Sequence, residues 1–188
     1  TWSAPSSNGG DAVTDYVVQY SSDGTTWATF TDSVSSTASC TVTGLANGTA
    51  YTFRVAAVNA AGTGTYSVVS AAVTPFTTPD APTAVAGVVG NTQVVVSWTA
   101  PADNGGSAII QYQVSYAPQG SNDYGTWSTA TATQSSSATF TVTGLTNGTS
   151  YKFKVAATNA AGDGSYSISS SAVTAYTSPG APTSVAGI

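Results

Sequence analysis

The stretch TGLTNGTSYKFKVAATNAAGDGSYS, Thr143 to Ser167, decides how the chain is read. From Tyr151 to Thr158 its residues alternate, so that Phe153 and Val155 share one face, as in a half-buried strand. Asn147-Gly148 ahead of it is a turn pair, and the glycines of AAGDGS behind it suit a tight turn. The stretch returns as TGLANGTAYTFRVAAVNAAGTGTYS, Thr43 to Ser67. Trp27 and Trp127, Leu45 and Leu145, and Tyr51 and Tyr151 are each 100 residues apart, whereas Trp2 and Trp98, and Tyr16 and Tyr112, are 96 apart. The difference falls where SSDGTTW becomes APQGSNDYGTW, the kind of change a surface hairpin loop tolerates. A repeat of about 100 residues is domain-sized.

Other runs also read as strands: Gln93–Trp98, Ile109–Tyr116, Ala138–Val142 and Tyr166–Thr174. They are rich in β-branched and aromatic residues and bounded by Gly, Asn, Pro and Asp. Alternation places Tyr112, Val114 and Tyr116 on one face. No stretch reads as a helix, and short strands about ten residues apart point to an all-β antiparallel sandwich.

Three features together resemble the fibronectin type III domain: the Trp-x-x-Pro of WSAP and WTAP, the Tyr-x-Val-x-Tyr strands at Tyr16–Tyr20 and Tyr112–Tyr116, and the Leu-x-x-Gly-x-x-Tyr segments. The resemblance covers essentially the whole chain. It implies tandem seven-stranded immunoglobulin-like sandwiches, with A, B and E in one sheet and C, C′, F and G in the other. It also implies a tyrosine corner made by Leu45 with Tyr51 and by Leu145 with Tyr151, and a structural core that includes Trp2, Trp98, Tyr16 and Tyr112.

The phase of the repeat follows. The opening TWSAPSSNGG matches SWTAPADNGG at Ser97–Gly106, so residues 1–79 are expected to form a unit without strand A and most of strand B. Residues 80–179 should form a complete unit, and residues 180–188 (GAPTSVAGI) repeat strand A of a following one. A window on a longer array explains this phase. Addition of one chain's Ala181–Ile188 to the next chain is the alternative.

Composition narrows function. The chain has three cations against eight acidic residues, all Asp, for a net charge of −5, which is unsuited to neutralising phosphates or docking on an acidic membrane. Nucleic acid is therefore not an expected partner, and no apolar run suggests direct membrane insertion. Without His or Glu, conventional triads and acid–base pairs have almost nothing to draw on, so the reading is non-enzymatic, with no cofactor and no metal. Asp11, Asp15, Asp103 and Asn104 read as turn chemistry rather than calcium ligands. Cys40, the sole cysteine, matches Phe140 and reads as a buried strand residue.

Two sets of surface residues stand out. Asn47 and Asn147 lie in Asn-Gly-Thr, both a glycosylation acceptor and a turn signal. Trp27, Tyr124 and Trp127 fall on or beside the C′ hairpin, where rings stack on sugars or cover the sandwich edge. The Ala-, Thr- and Gly-rich style is similar to tandem arrays in large bacterial surface and secreted proteins and to modules of phage virion proteins. The expected role is a structural or adhesive rod or spacer in a long extracellular or cell-surface protein, fibre or filament, with a virion surface as a variant. Its partners would be further units of the same chain and neighbouring copies in a fibre or filament. The alternatives are an accessory spacer of a secreted polysaccharide-degrading enzyme, and a weak carbohydrate-binding module.

Overall fold

The computed structural model describes residues 1–120, 126–131, 135–181 and 183. It contains two compact units, Thr1–Phe76 and Thr77–Ile188, and no helix among the described residues.

The first unit is built on a single sheet: β1 (Asp15–Ser21), β2 (Ala28–Phe30), β3 (Thr52–Asn59) and β4 (Gly62–Thr63), in the order β2-β1-β3-β4. The β1–β3 ladder runs antiparallel from Asp15 opposite Val58 to Ser21 opposite Thr52. Tyr16, Val18 and Ala56 are buried on it. The β1–β2 turn is locked by Asp23, whose carboxylate accepts from the Thr25 and Thr26 amides, each at 2.7 Å. The Thr26 and Thr25 amides hold this exposed carboxyl well below the usual carboxylate range.

The second unit has two sheets. One sheet holds β5 (Thr83–Gly90), β6 (Gln93–Thr99) and β9 (Thr139–Thr143). The other holds β7 (Gln111–Pro118), β8 (Ser128–Thr131), β10 (Ser150–Asn159) and β11 (Gly162–Asp163), with β12 (Val173–Thr174) also paired to β10. The inward residues of both sheets meet in one core. Val94, Val96 and Trp98 from β6 and Val142 from β9 lie in a cluster with Tyr112 and Val114 from β7 and Phe153, Val155 and Ala157 from β10. Period-two patterning produces this result: the outward-facing Gln93 and Val95 alternate with fully buried valines.

Two expectations need correction. The run Tyr166–Thr174 is not a continuous strand, since only Val173–Thr174 pairs as one. Upstream, Ser167 and Ser170 each donate a backbone N–H to β10, to Val155 O and Phe153 O at 2.8 Å. Their hydroxyls then accept from the Val155 and Phe153 amides at 3.0 and 3.1 Å. Partners three residues apart replace the two-residue step of a ladder, and serine oxygens take the place of backbone carbonyls. Ser67 and Ser70 repeat the arrangement against Val55 and Phe53. The second correction concerns Cys40, which is half-buried and lies outside any strand. Its counterpart Phe140 ladders with Val96 of β6, and residues 1–76 hold no counterpart of Gln93–Val96. What survives is the single bond Trp2 N–H to Ala38 O at 3.2 Å, matching Trp98 N–H to Ala138 O at 3.1 Å.

Candidate functional site

Strand alternation that sends Phe53, Val55, Phe153 and Val155 inward sends Arg54 and Lys154 to the opposite face of the C-, C′- and F-type sheet. There each cation meets two rings. The Arg54 guanidinium lies 4.2 Å from the Trp27 ring centre and 4.5 Å from that of Tyr66. The Lys154 ammonium lies 4.3 Å from Trp127 and 4.7 Å from Tyr166. Gln19 anchors the first stack, accepting from Arg54 Nε at 2.9 Å and an Arg54 terminal nitrogen at 2.7 Å, and donating to Thr29 at 3.0 Å. In the second, Ser115 donates to the Tyr166 hydroxyl at 3.2 Å, and that hydroxyl donates to Gln113. Cation–ring contacts of this kind contribute about 0.5–1 kcal/mol each at exposed sites. Trp27 and Trp127 are half-buried and immediately precede β2 and β8, while Tyr124 lies outside the described residues. A sugar stacking on either tryptophan would have to share the ring with the cation.

At the other turn of each unit, the Tyr51 hydroxyl accepts from the Ala46 amide at 3.2 Å and the Tyr151 hydroxyl from the Thr146 amide at 3.1 Å. Each tyrosine thus closes the loop that leads into its own strand. Leu145 and Tyr151 are buried, Leu45 and Tyr51 half-buried. Trp2 packs edge-on against Tyr16 at 5.1 Å, and Trp98 against Tyr112 at 5.0 Å. Between these paired features lie the two Asn-Gly-Thr turns, which differ. Asn147 accepts from the Thr92 amide at 2.9 Å and donates its amide to Asn91 at 2.8 Å, tying the turn to the β5–β6 hairpin. Asn47 is exposed.

The fibronectin type III domain model matches residues 1–73 and again 80–173. The chain belongs to the fibronectin type III family. It is similar to the striated-muscle M-protein of Gallus gallus, at 34% identity over 95% of this chain and 13% of that protein. It is also similar to exoglucanase B of Cellulomonas fimi, at 35% over 94% and 15%, and to chitinase A1 of Niallia circulans, at 38% over 86% and 21%. The chain therefore spans only 13 to 21% of the length of these relatives. Among solved structures, the chicken CNTN1 FN1–FN3 domains share the fold, with TM-score 0.50 and 23% identity over 90% of this chain and 59% of that one.

The aspartates and Asn104 of these fibronectin type III units hold backbone amides with their side-chain oxygens. Asp11 accepts from the Ala60 amide at 3.1 Å, Asp15 from Ser35 at 3.0 Å, Asp103 from Gly105 at 2.8 Å, and the Asn104 side chain from Gly106 at 2.9 Å. Among the described residues no three His, Cys, Asp or Glu side chains lie together as a metal site would need. Sequence reasoning missed the two cations inside the aromatic stacks. The signal was present, because Trp27, Arg54 and Tyr66 recur as Trp127, Lys154 and Tyr166, each after 100 residues.

Proposed function

We propose that this chain is a non-catalytic structural or adhesive repeat module, forming a rod or spacer within a long extracellular surface protein, fibre or filament. The observation that carries the reading is the tandem match of two fibronectin type III units joined by the short proline-bearing TPFTTPDAP. The scarcity of charge and the Ser/Thr-rich surface, about a third of all residues, suit an exposed setting outside a cell. No helix among the described residues is long and apolar enough to cross a membrane. Modules of this style on bacterial surfaces or virions would serve as spacers whose neighbours, not themselves, carry specificity.

The names exoglucanase B and chitinase A1 favour a second reading, an accessory spacer in a secreted polysaccharide-degrading enzyme. The intact mass and domain content of the protein in its native source separate the two. A mass far above 18.6 kDa made up of further fibronectin type III units is the expected result. A catalytic domain on the same polypeptide would replace the first reading with the second, and a mass of 18.6 kDa would overturn both.

A further inference from the structure

An Asn-Gly pair can react with itself. The glycine nitrogen is held by the covalent chain within reach of the side-chain amide carbon, and glycine has no Cβ to bar the approach. The chain has four such pairs: Asn8-Gly9, Asn47-Gly48, Asn104-Gly105 and Asn147-Gly148. Ring closure is helped by a base that takes the glycine N–H proton and by a donor that holds the charge developing on the amide oxygen.

Among the described residues, only Asn104-Gly105 has both. The Gly105 amide donates to the Asp103 carboxylate at 2.8 Å, and Asn104 Oδ1 accepts from the Gly106 amide at 2.9 Å. Asp103 and Asn104 are exposed, so water reaches them. In the pairs ahead of the corner tyrosines, the Gly48 and Gly148 amides donate to the carbonyls of Pro75 and Ala175, at 2.9 and 2.8 Å. A backbone carbonyl is no base. Asn8-Gly9 comes closest, because Asn8 Oδ1 accepts from the Gly10 amide at 3.0 Å. Its Gly9 amide, however, meets the Ser7 hydroxyl at 3.3 Å. The two units thus differ here by one residue, Asp103 in place of Ser7.

We propose that Asn104-Gly105 is a self-modifying site, at which Asp103 is the general base that converts Asn104 into aspartate and isoaspartate. Asp103 takes the proton of the Gly105 nitrogen, which bonds to Asn104 Cγ and closes a five-membered succinimide. The Cγ–Nδ2 bond breaks, and Nδ2 leaves as ammonia with the proton that Asp103 took. Water then opens the ring. Cleavage between Cγ and the Gly105 nitrogen leaves an aspartate, and cleavage at the other ring carbonyl leaves an isoaspartate. One water is consumed and one ammonia released.

The isoaspartate route lengthens the main chain by a methylene where there is no slack. A Cβ on Gly105 would stand 2.1 Å from Thr77 O. The Thr77 amide donates to Gly105 O at 2.8 Å, and Asn159 donates to both Thr77 O and Asn104 O at 2.7 Å. Isomerisation turns that Asn104 carbonyl into a side-chain carboxylate and displaces Gly105, so the hold on Thr77 loosens with age. The inference goes beyond the spacer reading, since the chemistry is the same whatever setting the module serves.

The test ages the full chain at neutral pH, folded and in urea, and follows aspartate and isoaspartate at each pair by peptide mass spectrometry. In the folded chain Asn104 should convert ahead of the other three, whereas in urea the four should react at similar rates. Asp103→Ser should slow Asn104 about tenfold in the folded chain, as loss of a hydrogen bond to a charged group does. This substitution copies Ser7 of the first unit and leaves the main-chain bond from Asp80 to Asp103 O in place. Amide exchange matching that of the parent checks its fold. Ser7→Asp, which sets the same base beside Asn8, should speed that pair instead. Exchange at the Thr77 amide should quicken as isoaspartate accumulates. A folded Asn104 no faster than the other three, a rate unchanged by Asp103→Ser, or an Asn8 unmoved by Ser7→Asp would each overturn the assignment of Asp103. Thr77 exchange that stays constant in the isoaspartate form would overturn the loosening.

Discussion

Val155 and Val55 occupy the same place in two copies of one repeat, yet the first is fully buried and the second half-exposed. Phe153 and Phe53 differ in the same way, and Trp98 is buried where Trp2 is half-buried. Their own sheets scarcely differ. The β1–β3 ladder of the first unit and the β7–β10 ladder of the second have the same register, Val18 opposite Val55 and Val114 opposite Val155. Hydrogen-bonded pairing is thus settled within one sheet, whereas a core requires the opposed one. In the second unit β5, β6 and β9 supply it, and the inner face becomes the interior of a sandwich. The segment that matches β9 shows the same dependence, because without a neighbour corresponding to β6 it has no ladder to join.

Substitutions at matched positions would break or sharpen this contrast. Phe153→Ala should cost about 3–5 kcal/mol, as truncation of a fully buried ring does, and Phe53→Ala less than half as much. Urea unfolding combined with amide exchange resolved by unit measures both, and equal losses would refute the contrast. Next in size, Gly164→Ala forces a methyl against Pro79 O and should destabilise the second unit by about 1–3 kcal/mol. Gly64→Ala should change the first unit by under about 0.5 kcal/mol in the same assay.

A smaller effect is expected at the two Asn-Gly-Thr turns. Asn147→Ala removes bonds to Thr92 and Asn91 and should cost about 1 kcal/mol, whereas Asn47→Ala should be nearly neutral in thermal unfolding. In a host that glycosylates this motif, Asn47 should be the more fully occupied of the two, because the Asn147 amide is already engaged. Site occupancy by peptide mass spectrometry reads this directly. The smallest effect concerns the Cys40 thiol, pushed from 9.0 up to about 11 by partial burial and by Asp32 beside it. The unfolded chain loses this proton at lower pH than the folded chain does, so the first unit should weaken slightly as pH rises between these values. Iodoacetamide should alkylate Cys40 more slowly in the folded chain than in urea at pH 9, and equal rates would remove the premise.

Much of this was legible before any coordinates. The paired tyrosines and the inward valines of β6, β7 and β10 announce themselves through period-two alternation and through spacing, because both are properties of the local chain. What was not legible depended on partners distant in sequence. Arg54 and Lys154 entered the sequence reading only through the charge balance, because the rings that contact each of them lie 12 and 27 residues away along the chain. Cys40 looked like a buried strand residue because its pattern is that of Phe140, and pattern alone does not supply the adjoining strand. The Ser-x-x-Ser segments were misread for another reason. Serine hydroxyls can stand in for backbone carbonyls, and a polar run of this kind has no hydrophobic period to betray which mode it uses.

That serine-bonded segment has a consequence for a chain that carries two similar units in tandem. Tethered copies of one fold face each other at effective concentrations in the millimolar range, where open sheet margins invite mispairing and co-aggregation. Ser67, Ser70, Ser167 and Ser170 meet the F-type strands at intervals of three residues, a spacing with which a regular two-residue strand cannot stay in register. A regular strand laid against such a segment would meet donors and acceptors out of step with its own, which should disfavour further growth of the sheet there.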